Sequence, residues 1–316
     1  MPLNETSTAI LAFMNANSPD MGAITAQEFR AYSAQMLQPA DPADRVVSQD
    51  VDADGVPARI YRCEEANGPQ PVLVFYHGGG YIACGIDSHE RLCHRLARLG
   101  SFAIVSVDYR LAPEHAFPAA VDDALIAARW VAQHGAEYGL DTTRMALGGD
   151  SAGGTLATVT AARIRDEGGP AIVHQLLIYP GADMIAEFPS AREFAEGYFL
   201  DADFSELCLS AYLPNSADRA HPWASPARAE DLSRLPPATI LTAECDPLRD
   251  GGRAYTDLLR KAGVPVEYVE YPGVFHGFVS LFGAVGEADE AVAKGASMLH
   301  KAFARAGRNA GHEAMA

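Results

Sequence analysis

Eight short runs of apolar and β-branched residues recur along the chain, most of them separated by helical patterns. This alternation limits the fold more than any other feature. The runs fall at 45–51, 58–63, 72–76, 102–107, 144–148, 173–179, 239–243 and 266–271. Val72-Leu73-Val74-Phe75-Tyr76 is apolar throughout rather than alternating, the pattern of a strand covered by helices on both faces. Between the first two runs, Asp52-Ala53-Asp54-Gly55 contains Asp-Gly, the strongest short hairpin signal. Helical patterns at 88–99, 119–134, 152–165, 252–262 and 287–306 then intervene. Such a rhythm predicts an α/β fold, a mainly parallel, doubly wound sheet with an antiparallel start.

Two stretches break the rhythm. Residues 1–44 carry helical patterns at 6–14 and 25–36 but no strand, and residues 183–223 separate two good strands. The second stretch holds Phe188, Phe194, Tyr198, Phe199, Phe204, Leu207, Tyr212 and Trp223, so it must cover something apolar, either core or a binding pocket. The tail after Arg305 is rich in Gly, Ala and polar residues and is expected to fray.

The net charge of −17 speaks against nucleic acid and anionic membrane surfaces as partners. Five scattered cysteines without a Cys-x-x-Cys pair form neither a disulfide framework nor a metal site, and Cys63 and Cys245 read as buried thiols. The first residues lack the basic start and apolar stretch of a signal peptide, and no apolar run reaches the length of a membrane span, so a cytoplasmic protein is expected.

The chemistry is carried by Gly149-Asp150-Ser151-Ala152-Gly153, which fits G-x-S-x-G between an apolar strand and an Ala/Thr/Leu helix. The glycines permit a turn too tight for a Cβ on either side. The turn lifts the Ser151 hydroxyl above the sheet, at the positive end of the following helix. Upstream, His77-Gly78-Gly79-Gly80 directly follows the 72–76 strand. Three glycines leave backbone N–H groups free to converge on a small anion, as acyl transfer requires. Gly79 and Gly80 are the candidate donors, with the Ala152 N–H as the third. A phosphate loop is excluded, since no Lys-Ser/Thr follows the glycines and the G-x-G-x-x-G spacing is absent.

A base and an acid should follow the serine, acid first. Of the later histidines, His276 alone lies in a loop just past a strand, where parallel sheets place their sites. For the acid, Glu244-Cys245-Asp246-Pro247-Leu248-Arg249-Asp250 follows the 239–243 strand in the same way. Asp246 is the choice. Asp250 is expected to cap a helix beginning near Gly252, and Glu244 to stand behind the site.

With these residues the chain resembles the hormone-sensitive-lipase-like family, the bacterial family IV esterases, over roughly residues 45–305. The matching motifs are His77–Gly80, Asp108-Tyr109-Arg110-Leu111-Ala112-Pro113-Glu114-His115, Gly149–Gly153, and Asp246–Asp250 with His276-Gly277-Phe278. The resemblance implies an eight-stranded sheet formed by 45–182 and 224–316. The cap would be built from 1–44 and 183–223. It makes His77 a loop-shaping residue and leaves Arg110 and Glu114 bracing the loop beneath the site. It implies hydrolysis of a small-molecule carboxylic ester through an acyl-enzyme, with short to medium acyl chains favoured and no metal or organic cofactor required. A homodimer is implied at the same level. Tyr81, Tyr198, Phe199, Phe204, Val279 and Phe282 are candidates to line the acyl or alcohol pockets. Amidase, thioesterase and lactonase activities remain open on the same fold. Plant hormone receptors of similar architecture have lost the histidine that His276 supplies here. Replacing Ser151 by Ala should leave less than about a thousandth of wild-type kcat while the protein still folds. A more active variant would require another nucleophile.

Overall fold

The computed structural model describes residues 3–21 and 23–313, with side chains described to residue 308. The expected strands are all present, most of them longer than the apolar runs. They are β1 (Val46–Ala53), β2 (Val56–Cys63), β3 (Gln70–Tyr76), β4 (Ala103–Val107), β5 (Leu140–Asp150), β6 (Ile172–Ile178), β7 (Ala238–Cys245) and β8 (Val266–Phe275). They form one eight-stranded sheet in the order β1-β2-β4-β3-β5-β6-β7-β8. The pairs β1–β2 and β2–β4 are antiparallel, and every later pair is parallel.

The helices are α1 (Glu5–Asn17), α2 (Ala26–Gln35), α3 (Ile86–Gly100), α4 (Ala119–His134), α5 (Ala152–Glu167), α6 (Pro189–Glu193), α7 (Ala202–Tyr212), α8 (Arg249–Lys261) and α9 (Gly286–Glu313). Within β3, Val72, Val74 and Tyr76 join the core beneath α4, α5 and α8, while Leu73 and Phe75 join the core beneath α3 and α9. Both faces of the strand are dry, which is why its sequence shows no polar alternation.

The two stretches outside the rhythm hold α1, α2, α6 and α7 and, among the described residues, no strand. They meet each other where Phe29 of α2 packs on Phe204 of α7, with ring centroids 4.5 Å apart. Arg30 secures α2 to the sheet side. Its Nε donates to the Ile82 carbonyl (2.6 Å), its Nη2 to that of Ala112 (2.7 Å), and it pairs with both carboxylate oxygens of Glu114. Glu114 therefore holds α2, while Arg110 braces its own loop through a forked bond to Asp123 of α4.

One expectation fails. Helix α9 does not end near Arg305 but continues to Glu313, the last described residue. Residues 314–316, the end of the expected frayed tail, lie outside the described residues, as do the first two of the chain. Cys63 and Cys245 are buried, as expected. No helix among the described residues is long and apolar enough to cross a membrane.

Two buried histidines make the fold acid-sensitive. Burial lowers His174 of β6 to about 4, and burial together with the nearby His89 lowers His77 to about 3. An unfolded imidazole binds its proton near 6.5, so below that pH the unfolded chain holds more protons than the folded one, and stability falls as pH falls. The free energy of unfolding should drop by about 2 kcal/mol for each such histidine between pH 7 and pH 5. Urea titrations across this range check it. His174→Gln should unfold with a shallower pH dependence than wild type.

Candidate active site

The turn from β5 into α5 carries Ser151 at φ 53° and ψ −119°, a conformation that non-glycine residues hold only when their surroundings enforce it. The surroundings are the carboxyl end of β3. A Cβ on Gly149 would meet the Tyr76 carbonyl oxygen at 2.3 Å, and one on Gly153 would meet it at 1.8 Å. Both glycines of the motif are thus required by one close backbone approach. The Ser151 N–H is held by the Ile178 carbonyl of β6 at 2.8 Å.

His276 follows directly on β8, which runs to Phe275 after a register shift opposite Ala243/Cys245. That irregularity brings a polar residue to the strand end, and Glu244 steadies it by accepting the Gly273 N–H at 2.8 Å. His276 Nε2 lies 2.9 Å from Ser151 Oγ, and its Nδ1 lies 2.8 Å from Asp246 Oδ2. Asp246 is fully buried, and its second oxygen accepts the Leu248 N–H at 2.8 Å. An N–H at Nδ1 leaves Nε2 with a lone pair toward the serine hydroxyl.

Ser151 and His276 open on an apolar cavity of about 360 Å³. Gly79, Gly80 and Ala152 line it, and among the described residues no acceptor takes their backbone N–H groups. The glycine loop is held by Asp150, the variable residue of the serine motif. Its Oδ1 accepts the Gly78 N–H at 2.9 Å and lies 3.0 Å from His89 Nε2. Burial would raise the Asp150 pKa, but the imidazoles of His89 and His77 and the Gly78 N–H outweigh that and hold it below the usual carboxylate range. Sequence reasoning missed both Asp150 and His89. The signal available was a carboxylate beside a nucleophile, but its partners stand 72 and 61 positions away. His77 is buried outside the cavity and stacks on Tyr109 at 4.2 Å, so it shapes the loop.

Of the six residues expected in the pocket wall, Tyr81, Phe199, Phe204 and Phe282 line the cavity. Tyr198 and Val279 do not. Tyr198 packs edge-on against Phe194, at 4.9 Å, and Val279 is fully buried in the core beneath α3 and α9. Asp250 is also corrected. Helix α8 begins at Arg249, before it, and Leu248 at the N-cap makes no side-chain hydrogen bond. Asp250 instead accepts the Ser190 N–H at 2.9 Å and bonds Arg249 and Arg253, tying α6 to the acid-bearing loop. A second cavity of about 510 Å³ shares Ser33, Leu37, Cys84 and Ser88 with the first but reaches neither Ser151 nor His276. Among the described residues no three His, Cys, Asp or Glu side chains gather as a metal site needs.

A family model described as the alpha/beta hydrolase fold matches residues 73–280. The chain is 44% identical over 265 residues to esterase LipI of Mycobacterium tuberculosis, with 82% of each chain covered. It is 38% identical to ethyl acetate hydrolase of Pseudomonas putida, over 84% of this chain and 85% of that one. The hyperthermophilic esterase of the archaeon Pyrobaculum calidifontis superposes with a TM-score of 0.88 at 38% identity, covering 95% of this chain and 99% of that one. The chain belongs to the hormone-sensitive-lipase-like esterases of the α/β-hydrolase fold family.

Three substitutions separate the acids. Asp246→Asn should keep the shape but favour the wrong histidine tautomer, lowering kcat by up to about ten-thousand-fold, as in the serine-protease case. Glu244→Gln and Asp250→Asn should keep kcat within about tenfold, with Asp250→Asn losing about 1 kcal/mol of stability from its hydrogen-bonded ion pairs. A near-normal Asp246→Asn enzyme beside a dead Asp250→Asn enzyme would overturn the assignment.

Proposed function

We infer that this protein is a carboxylesterase that acts through Ser151, His276 and Asp246. It is a carboxylic-ester hydrolase by family, and the hydrogen-bonded run from Ser151 Oγ to Asp246 at the cavity wall carries the mechanistic reading. His276 takes the serine proton as Oγ attacks the ester carbonyl, and Asp246 holds the ring and stabilises the imidazolium. The oxyanion develops against the N–H groups of Gly79, Gly80 and Ala152, each such donor typically lowering a barrier of this kind by about 3–4 kcal/mol. His276 then protonates the leaving alcohol. Water, activated in the same way, attacks the acyl-serine and releases the acid. A protein that only bound its ligand would gain nothing from a histidine held between serine and acid. Stoichiometric labelling of Ser151 by a fluorophosphonate tests this step, and an unlabelled protein would sink it.

In this reading residues 1–44 and 183–223 form a cap over the core of 45–182 and 224–316. Phe29, Phe199 and Phe204 reach the cavity from the cap side. Scattered cysteines without a Cys-x-x-Cys pair support a reducing, cytoplasmic setting, which fractionation of the native host tests. β8 is the last strand in the sheet order, and an edge strand supports the homodimer, tested by mass in solution.

A cavity of about 360 Å³ is at the small end for ligand sites, which span about 300–1,000 Å³. The named activity of the Pseudomonas putida relative, ethyl acetate hydrolysis, points the same way. Across p-nitrophenyl esters from acetate to palmitate, kcat/KM should peak at short to medium chains and collapse at palmitate. A rate still rising through long chains, with activation at a lipid interface, would argue for a true lipase instead.

A further inference from the structure

Arg91 stands in the first half of α3 and lines the cavity onto which Ser151 opens. Its guanidinium lies 3.8 Å from the centroid of the Phe282 ring, and its Nη2 donates to the Phe282 carbonyl at 2.9 Å. These contacts fix the head group without supplying a negative charge. Among the described residues no carboxylate pairs with it. Arg95, one turn on, is different, since it pairs with Asp41 at 3.5 Å and Asp44 at 3.4 Å. The nearby Asp289 turns its carboxylate to the Gly283 N–H. Asp150, the one carboxylate among the lining residues, is engaged by Gly78 and His89.

The apolar cavity wall thus carries a fixed cation that no carboxylate among the described residues neutralises. A guanidinium presents its donors in a planar fork that matches a carboxylate, and it is strongest where water is scarce. The net charge of −17 repels anions at long range, but salt screens that field beyond about 8 Å under physiological conditions, so the local cation decides.

We propose that Arg91 reads a carboxylate on the substrate, so that the site favours esters carrying a free acid group. Such substrates are half-esters of dicarboxylic acids or acyl esters of hydroxy acids, with the ester carbonyl at Ser151 and the carboxylate at Arg91. The proposal rests on the esterase reading above. Water cleaves the ester to an alcohol and an acid, and the distal carboxylate is unchanged.

The test compares kcat/KM for anionic and neutral esters of matched size within each enzyme form. Monoethyl glutarate against ethyl valerate places the charge on the acyl side. Acetoxyacetate against its methyl ester places it on the alcohol side. In wild type at least one anionic member should be cleaved as well as its neutral partner or better. Arg91→Gln should lower that anionic-to-neutral ratio roughly ten- to a hundredfold, and Arg91→Lys should fall between the two. Taking the ratio within one variant cancels any general loss, and Arg91→Met serves as a second neutral variant should the glutamine impair folding. An unchanged ratio in the neutral variants for both pairs would overturn the proposal, as would a wild type that cleaves neutral esters alone. Both outcomes leave the esterase reading standing. A wild type inactive on every ester overturns that reading and the proposal together.

Discussion

The carboxylate of Asp150 lies where the two glycine-rich turns of this protein meet, and the rest of the site depends on it. One residue before Ser151, it accepts the Gly78 N–H and sits against His89, so the serine turn and the glycine loop are held at a fixed spacing. A charge this deeply buried persists only with partners. Here they are an N–H and an imidazole contributed by the loop and the helix that follow β3, so the anion fixes those elements relative to β5. The neighbouring Gly79, Gly80 and Ala152 line the cavity, and among the described residues no acceptor takes their N–H groups.

Close packing does the remainder. Gly149 and Gly153 let the serine turn press on the Tyr76 carbonyl, and the left-handed Gly79 and Gly80 leave room for the Ala83 carbonyl and the Cys208 sulfur, which a Cβ would meet at 2.3 and 2.4 Å. The last of these contacts comes from α7, so that helix is fitted to the glycine loop as closely as the sheet is. Tyr81 stacks on Tyr212 with centroids 3.8 Å apart, continuing the same seam. Dispersion over such surfaces, rather than any single bond, seats α7 on the glycine loop.

Charge then clamps α2 and α6 in place. Arg30 gathers two backbone carbonyls and Glu114 on the α2 side, and Asp250 gathers the Ser190 N–H on the α6 side, next to the loop that bears Asp246. Arg30 joins α2 to the loops that follow β3 and β4, and Asp250 joins α6 to the first turn of α8. Arg91 stands apart from this pattern, since its partners are an aromatic face and a carbonyl rather than a carboxylate.

How much of this the chain announces can be followed residue by residue. Runs such as 72–76 disclose a strand dry on both faces, and the glycines around Ser151 disclose a tight turn, because secondary structure and backbone sterics act over a few neighbouring residues. The choice of His276 and Asp246 needed only their places just past strand ends, since a parallel sheet collects such ends along one edge. The longer course of β8 through Pro272 and Gly273 stayed hidden, because it depends on pairing with Cys245 across the sheet. The roles of Asp150, His89 and Asp250 stayed hidden too, as did the core position of Val279 and the cavity position of Arg91. Each is decided by partners tens to hundreds of residues away, and a buried charge or an aromatic ring does not reveal in sequence which neighbour the fold will bring to it. The amino-acid sequence by itself determined the strand–helix order and the strained serine turn, which are local. Only the tertiary structure decided which side chains surround the cavity, because that depends on packing between distant segments.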